Sequence, residues 1–249
     1  MAKFQIFNEA ECQSLRRGGA ILRACLEELP KHVRPGIKTK ELDAIAEEFI
    51  RSHDGASPAF KGYHGFTGTL CTSVNEECVH AIPGERVLKE GDIVGLDCGV
   101  IFGGLYTDAC VTVGVGRIPD ETQRFLDVTK DALEKAVSLV APQLRVGDIS
   151  SVIQKTVEAG GFACVRALTG HGLGSTLHQF PDVPNVGKAG TGPALPAYTI
   201  IAIEPITSMG SDSIVDKDDG WTICTADGSL SAHFEHTVLV LDDGHEILA

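Results

Sequence analysis

The fold is decided by one stretch, Gly91-Asp-Ile-Val-Gly-Leu-Asp97-Cys-Gly-Val-Ile-Phe-Gly-Gly-Leu-Tyr-Thr-Asp108-Ala-Cys-Val-Thr-Val-Gly-Val-Gly116. Two runs rich in β-branched residues flank a turn that contains glycine, and this pattern predicts a β-hairpin. If the turn is centred just after Phe102, Asp97 and Asp108 lie directly opposite each other, with Cβ atoms about 4.5–5.5 Å apart. The stretch holds no Lys or Arg to neutralise them. Two such carboxylates are either exposed near the turn or bound to a metal ion.

The composition is that of an ordinary globular protein with an excess of acidic residues. The chain has 249 residues, 43% of them hydrophobic, and a formal net charge of −13. This length allows one large domain or two small ones with a sizeable core. The negative charge argues against binding to the phosphate backbone of nucleic acids or to anionic membranes. No apolar signal core follows Met1, and no stretch approaches about 20 uninterrupted apolar residues, so we expect a cytoplasmic protein.

Eight cysteines are scattered along the chain without a Cys-x-x-Cys pair. Disulfide frameworks belong to short secreted chains, so we expect these side chains to be reduced and to pack as small buried hydrophobic groups. Cys71, Cys78 and Cys98 fall near the hairpin. A reactive role for these three is the alternative to simple packing.

Helices precede strands in both parts of the chain. Helix-start signals stand at four places, and each opens a run with helical apolar spacing: Asn8 with Glu11, Thr39, Pro119-Asp120, and Asp148. In this interpretation Thr39 and Asp148 are the capping residues of the second and fourth helices. Apolar segments typical of strands follow each helix pair. The pattern predicts an α+β protein.

A weak internal repeat supports two related halves. Val79-His80-x-x-Pro83 precedes a strand that ends at Asp97, and Leu177-His178-x-x-Pro181 precedes a strand that ends at Glu204. No linker rich in Pro or Ser separates the two parts. We therefore predict a single domain, 1–249, composed of halves at about 1–118 and 119–249.

Five residues with metal-binding side chains stand in apolar or glycine-rich surroundings: Asp97, Asp108, His171, Glu204 and Glu235. Each has a simpler explanation alone, because a histidine between glycines is often just a loop residue. Carboxylates on buried strands, however, need partners. Four carboxylates and one imidazole suit two divalent cations, and mostly oxygen ligands favour Mn²⁺, Fe²⁺ or Co²⁺, with Zn²⁺ as a further candidate. Such a centre predicts metal-assisted hydrolysis of an acyl bond.

The five residues, in this order, resemble the type I methionine aminopeptidases, which belong to the creatinase-like or "pita-bread" metallopeptidases. The likeness extends from the helix at Thr39 to Thr237, and no long insertion separates its motifs, as in the short bacterial form. The motifs are Gly62-Tyr-His-Gly65, Ser73-Val-Asn-Glu76, His80-x-x-Pro83, Gly170-His-Gly-x-Gly174, His178-x-x-Pro181, Ile203-Glu-Pro205, Asp219-Gly-Trp-Thr222 and Ser231-Ala-x-x-Glu-His-Thr237. The resemblance implies a pita-bread fold, a curved antiparallel sheet covered by two pairs of helices, with halves related by a pseudo-two-fold axis.

The resemblance also implies a role for each metal-binding residue. Asp97 would bind one cation through both oxygens, Asp108 and Glu235 would bridge two cations, and His171 with Glu204 would complete the other site. A hydroxide between the cations would attack the carbonyl of the first residue of the substrate. The substrate's free amino group would bind a cation, which restricts cleavage to the first peptide bond.

Three residues take catalytic roles by the same resemblance. Glu204 would also shuttle the proton of the attacking hydroxide. His178 would stabilise the developing oxyanion, and His80 would form a hydrogen bond with the scissile amide nitrogen. Both histidines therefore belong to the implied substrate-binding set as well.

The implied pocket for the substrate's first side chain is formed by Phe60, Tyr63, Phe66, Cys71, His80, Leu177 and Trp221. Several residues at or near the site depart from the common family pattern: Phe60 replaces Cys, Phe66 replaces Tyr, Leu177 replaces Phe, Gln179 replaces Glu, and His233 replaces Gln. The metal-binding set is intact, whereas the pocket is reshaped. A misfit of one methylene changes discrimination by about 1–3 kcal/mol.

Three functions remain open from the sequence. The first is removal of the initiator methionine from nascent chains whose second residue is small. The second, favoured by the altered pocket, is a related aminopeptidase or dipeptidase with another preference. The third is a non-catalytic binding protein, which the intact set of five ligands disfavours. The resemblance further implies nascent N-termini as substrates and the ribosome as a candidate partner. We also expect a monomer, and the negative charge argues against binding of nucleic acid or membranes.

Overall fold

The structure is a computed structural model that describes residues 3–249. Its α-helices are α1 (Glu9–Glu28), α2 (Thr39–Arg51), α3 (Asp120–Ser138) and α4 (Val146–Ala159). Its strands are β1 (Ala56–Pro58), β2 (Leu70–Val74), β3 (Glu77–Val79), β4 (Ile93–Phe102), β5 (Leu105–Gly114), β6 (Ala163–Cys164), β7 (Thr169–Gly172), β8 (Gln179–Pro184), β9 (Ile200–Ile203), β10 (Ile206–Ser208), β11 (Ile214–Asp216), β12 (Ile223–Thr225), β13 (Ser231–His233), β14 (His236–Val240) and β15 (His245–Ile247). The paired strands run antiparallel. Helices and antiparallel sheets in this order confirm the α+β prediction.

The central hairpin forms, but with another register than the one predicted. Phe102 pairs with Leu105, so the turn consists of Gly103 and Gly104, whose φ angles are 59° and 78°. A two-residue turn with positive φ at both positions matches the twist of the strands that it joins, and glycine is the residue that adopts it without strain. Asp97 consequently faces Cys110, and Asp108 faces Gly99. The prediction that the two aspartates are directly opposite was wrong, and they are diagonal neighbours on one face.

Strand alternation places that face away from the helices. β4 pairs with β5 along one edge and with β1 and β2 along the other. Its alternate residues Val94, Leu96, Cys98 and Val100 belong to the core under α1 and α2, where they join Leu22 and Leu42. Side chains of a strand alternate between its two faces. Asp97 and Gly99 therefore lie on the surface of β4 that the helices leave uncovered.

The C-terminal part of the chain repeats this layering with other elements. A five-stranded sheet in the order β15-β14-β9-β7-β8 packs beneath α3 and α4. Its core includes Phe125 and Ile149 from these helices and Ile201, Ile203 and Val238 from the sheet. Two three-stranded sheets, β13-β10-β6 and β11-β12-β3, complete the arrangement. The second of these connects the two parts of the chain, because β3 precedes the hairpin.

A further connection, here called the seam, joins β5 to residues 233–237. Cys110 and Glu235 exchange backbone hydrogen bonds, with N···O distances of 2.9 and 3.4 Å. On one side, Thr237 Oγ1 accepts from the Asp108 N–H and donates to the Asp108 carbonyl, at 2.9 and 2.6 Å. On the other side, Thr112 Oγ1 bonds in the same way to the N–H and carbonyl of His233, at 3.0 and 2.7 Å. Two threonine hydroxyls thus extend an antiparallel pairing beyond its backbone contact.

The helix starts agree with the sequence in part. Asn8 Oδ1 accepts from the Glu11 N–H while the Glu11 carboxylate accepts from the Asn8 N–H, which confirms the predicted capping box. The predicted caps Thr39 and Asp148 were wrong, because Lys38 and Arg145 hold those positions. Thr39 Oγ1 instead bonds to Gly84. Asp148 lies inside the first turn, where its carboxylate accepts from the Arg145 N–H.

All eight cysteines are buried and free, as expected. Burial raises the pKa of the Cys71 thiol well above its usual range, and Asp97 raises it further. Such a thiol stays protonated and unreactive as a nucleophile, which favours packing over the reactive alternative for Cys71. Across residues 3–249, each helix is too short or too polar to cross a bilayer.

Candidate metal centre

One cavity of about 240 Å³ gathers every site residue that the sequence and its resemblance named. The metal-binding residues in its wall are Asp97, Asp108, His171, Glu204 and Glu235. The remaining named residues in its wall are Phe60, Tyr63, Phe66, Cys71, His80, Leu177, His178 and Trp221. Residues from both parts of the chain meet here: β4 and β5 supply the aspartates, β7 supplies His171, Glu204 directly follows β9, and Glu235 directly precedes β14. The two histidines of the weak repeat, His80 and His178, both reach the cavity.

The carboxylates in this cavity present oxygens that no protein group satisfies. Asp97 Oδ1, Asp108 Oδ1 and Glu235 Oε1 are buried and have no hydrogen-bond partner among residues 3–249. Such atoms are rare in folded proteins because each costs about 1–3 kcal/mol, and more when charged. One ligand atom each from Asp108, His171 and Glu235 also lies within 4.8 Å of the others. Divalent cations are the partners that fit these oxygens.

His171 is held with one ring nitrogen free for a cation. Its Nδ1 lies 2.9 Å from the carbonyl oxygen of Gly172 and donates to it, which leaves the lone pair on Nε2. That Nε2 lies 3.4 Å from Glu204 Oε1. Two atoms that bind one ion at about 2.0–2.2 Å lie about 3–4 Å apart, so this separation suits two ligands of a common cation.

The glycines beside His171 have a steric reason. A Cβ on Gly170 would lie 2.4 Å from the carbonyl oxygen of Ala202, and a Cβ on Gly172 would lie 2.3 Å from that of Phe180. Both separations are too short for real atoms, so only glycine lets β7 approach β9 and β8 this closely. The Gly-His-Gly pattern therefore places the imidazole on a buried strand rather than in a loop.

The charges of the centre oppose one another when no cation is bound. Burial raises the pKa of Asp108 well above its usual range, and Asp97 and Glu204 raise it further. Burial is the largest cause that raises the pKa of Glu235, and the charge of Asp108 is the next largest. Burial also acts to raise the pKa of Glu204, but His233 and His171 outweigh it, so this pKa is lowered. The carboxylates cannot all be ionised without added positive charge.

Two neutral imidazoles stand beside the acidic cluster. Burial, and then His171, lower the pKa of His178 to about 4, and burial lowers the pKa of His80. Both rings are therefore uncharged at pH 7 and carry one N–H each. The Tyr63 hydroxyl lies 3.2 Å from Nδ1 of His178. With Nδ1 engaged, Nε2 is the nitrogen that remains for a ligand in the cavity.

The apolar wall of the cavity is a separate cluster of side chains. Its buried members are Ala59, Phe60, Phe66, Cys71 and Leu177, and Trp221 packs against them. The Phe66 and Trp221 rings meet edge to face, with centroids 5.1 Å apart. Among the five departures from the family pattern, Phe60, Phe66, Leu177 and His233 line the cavity, whereas Gln179 does not. The Gln179 amide instead donates to Gln5 and to the Leu173 carbonyl.

The cavity also contains residues that sequence reasoning did not assign to the site: Val79, Leu168, Thr169, Asp182, Ile206 and His233. Asp182 faces His171 across β7 and β8, next to a register shift. A pairing beside an irregularity cannot be read from one chain, so no sequence signal marked it. His233 was noted only as a departure from the family pattern. Its position beside Glu204 depends on the seam, which joins residues far apart in sequence.

Comparison with known proteins agrees with this arrangement. The model of metallopeptidase family M24 matches residues 13–242. A methionine aminopeptidase of Clostridium perfringens is 49% identical over 241 residues, covering 97% of this chain and 96% of that protein. Methionine aminopeptidase 1 of Bacillus subtilis is 46% identical over 94% of each chain.

The chain belongs to metallopeptidase family M24, among the methionine aminopeptidases. Solved structures resemble it over nearly its whole length. The methionine aminopeptidase of Thermotoga maritima superposes with a TM-score of 0.97 at 42% identity, covering 99% of both chains. A Pyrococcus furiosus prolidase, at 17% identity, has a TM-score of 0.80 over 98% of this chain and 64% of its own, which is a likeness of fold alone. These likenesses confirm the expected pita-bread fold of an M24 metallopeptidase.

Proposed function

We propose that this chain removes the N-terminal methionine from peptides and nascent proteins whose second residue is small. The observation that carries the proposal is a buried set of unsatisfied carboxylate oxygens beside an apolar pocket in one cavity. Methionine aminopeptidases among the relatives, nearly half identical over almost the whole chain, support it. The division into halves at about residue 118 stays a prediction.

Five residues would hold two divalent cations: Asp97, Asp108, His171, Glu204 and Glu235. By the family resemblance Asp108 and Glu235 would serve both cations. Like Asp97, each is buried with an unsatisfied oxygen. Mostly oxygen ligands favour Mn²⁺, Fe²⁺ or Co²⁺, with Zn²⁺ also compatible. When bound, the cations supply an activated water molecule and polarise the scissile carbonyl.

The remaining polar residues would orient the substrate and move protons. His178 is neutral and can donate from Nε2 to the oxygen of the scissile carbonyl as negative charge develops on it. His80 is also neutral and would bond the amide nitrogen. Glu204 has a lowered pKa, so it is ionised at pH 7 and can accept a proton from the attacking water.

The pocket would admit one unbranched apolar side chain. Its walls are the rings of Phe60, Phe66 and Trp221 with Cys71 and Leu177, and these side chains carry no charge. A methionine thioether is flexible and favours contact with aromatic rings. The small size of the cavity, about 240 Å³ including the metal-binding end, leaves room for little more than one side chain.

A related aminopeptidase with another preference is the second candidate, and the replaced wall residues Phe60 and Leu177 favour it. As for its setting, we propose a monomer that acts in the cytoplasm on chains emerging from the ribosome. Excess negative charge makes direct binding to nucleic acid unfavourable.

The proposal is tested with three tripeptides, Met-Ala-Ser, Leu-Ala-Ser and Ala-Ala-Ser, and metal-free protein. Each peptide is incubated alone and with Mn²⁺, Fe²⁺, Co²⁺ or Zn²⁺, and released amino acids are measured. We expect release of methionine alone, and only with added cation. Release of another residue would shift the assignment to a relative with a different preference. No release with any cation would contradict an enzymatic role and leave a binding protein.

A further inference from the structure

His233 brings a fourth imidazole to the cavity, beside the metal-binding carboxylates. Its Nε2 lies 3.4 Å from Oε2 of Glu204 and 3.7 Å from Oε2 of Glu235. The side chain is only 5% exposed, and Nε2 has no hydrogen-bond partner among residues 3–249. A ring nitrogen buried in this way normally has a partner. The two carboxylates are within reach to provide it.

The seam fixes where this ring stands. The His233 N–H and carbonyl both bond to Thr112 Oγ1, and the carbonyl also accepts from the Cys110 thiol, with Sγ···O of 3.4 Å. Its strand β13 pairs with β10, where His233 faces Ile206, two residues beyond Glu204. The backbone of His233 is therefore held by β5 on one side and by β10 on the other, and it does not lie in a loop.

The Glu204 carboxylate lies between two imidazoles, one at each oxygen. Oε1 is 3.4 Å from Nε2 of His171, and Oε2 is 3.4 Å from Nε2 of His233. His171 belongs to the group of ligand atoms that lie within 4.8 Å of one another, together with Asp108 and Glu235. Oε1 therefore faces that group, and Oε2 faces His233. One oxygen is available to a cation while the other is available to a hydrogen-bond donor.

We propose that His233 is a positioning residue of the metal centre, which donates from Nε2 to Oε2 of Glu204 and so keeps Oε1 directed at the cations. The inference rests on the metal centre proposed above and adds a residue to it. The common family pattern has glutamine at this position, and its amide is also an N–H donor. Hydrogen-bond partners of metal ligands typically contribute about 10–100-fold to metal affinity.

Two variants of similar size distinguish the effect of losing the hydrogen-bond donor from the effect of changing the side-chain volume. His233→Gln keeps an N–H donor, whereas His233→Leu removes it. Metal-free protein is titrated with Mn²⁺ and with Co²⁺ by calorimetry, and the metal-free variants are compared by thermal unfolding. We expect His233→Leu to lower the affinity for the most tightly bound cation by about 10–100-fold. The affinity of His233→Gln should remain within about threefold of that of the parent. If the leucine variant does not fold, His233→Ala takes its place.

A matched control removes a histidine far from the cavity. His32 pairs with Glu28 at the surface, so His32→Ala should leave the affinity unchanged. A parent protein that binds no cation would contradict the metal centre itself. If the parent binds cations and His233→Leu binds them equally well, only the role of His233 is overturned. Equal weakening in the glutamine and leucine variants would also overturn it, since the donor would then be irrelevant.

X-ray absorption distinguishes a positioning residue from a ligand. The protein is loaded with one equivalent of Co²⁺, and the imidazoles bound to the cation are counted from the spectrum. We expect one imidazole in both the parent and His233→Gln. Two imidazoles in the parent and one in the variant would show that His233 binds the cation directly, and would overturn the proposal.

Discussion

The ring of Phe60 lies against Gly99, so closely that a Cβ on Gly99 would stand 2.8 Å from the ring atom Cε1. Gly99 is also the residue that faces Asp108 across the hairpin. The ring therefore closes the pocket at the end where the metal ligands begin. Because Gly99 has no side chain, β4 leaves space on its inner face for a phenylalanine where the family commonly has cysteine.

Replacing this ring should loosen selection for the first residue of the substrate. Phe60→Cys widens the pocket, so branched and larger side chains should gain relative to methionine. We expect the ratio of kcat/KM for Met-Ala-Ser over Leu-Ala-Ser to fall about 10-fold or more, within the range for small changes in an apolar pocket. Steady-state assays with methionine, norleucine and leucine peptides measure it. Phe49→Leu is the control, because Phe49 lies on α2 and packs against the N-terminal core. An unchanged ranking in Phe60→Cys would place the determinant elsewhere.

Loss of a shared carboxylate should abolish hydrolysis without unfolding the chain. Asp108→Asn keeps the side chain's shape but removes a buried charge that Asp97 and Glu204 oppose. We expect activity to fall by more than about 100-fold, beyond the effect of losing a ligand's hydrogen-bond partner. The metal-free variant should be at least as stable at pH 7 as the parent. Peptide assays and urea unfolding test the two statements, and substantial remaining activity would contradict the two-cation mechanism.

The metal-free protein should lose stability as the pH rises from about 4 to 7. Burial raises the pKa of Asp97 to about 6 and raises those of Asp108 and Glu235 well above their usual range. Above pH 4 these three carboxyl groups bind more protons in the folded state than in the unfolded state, so their contribution to the free energy of unfolding decreases with pH in this window. Bound cations should reverse the loss. Urea unfolding at pH 5 and pH 7, with and without Mn²⁺, measures it; equal metal-free stability at both values would count against this prediction.

The threonine contacts of the seam should contribute measurably to stability. Thr237→Val keeps the shape of the side chain but leaves the N–H and carbonyl of Asp108 without their partner. We expect a loss of about 1–3 kcal/mol in the free energy of unfolding. Thr72→Val is the matched control, because the Thr72 hydroxyl is buried without a hydrogen-bond partner. Denaturant unfolding that shows equal effects for the two variants would mean that the seam contacts contribute nothing.

Sequence reasoning grouped residues correctly in space where their chemistry was out of place. Carboxylates in apolar strands and a histidine between glycines indicated a metal centre, and the structure brings all five residues to one cavity. The sequence did not reveal the relative positions of residues that depend on strand pairing and register. Phe-Gly-Gly-Leu permits more than one turn centre, so the offset of Asp97 from Asp108 could not be read from the chain. The place of His233 depends on Thr112, 121 residues away in sequence.

The seam has a consequence for how the chain resists unfolding. Asp108 and Glu235 are separated by more than 100 residues, and a cation held by both would close a loop of that length. A disulfide between the same positions would impose the same topological constraint on the unfolded chain. All eight cysteines are free, so the protein has no such covalent cross-link. A shared cation would be a cross-link that reductants leave intact and chelators remove, and the supply of divalent metal would then govern resistance to proteolysis.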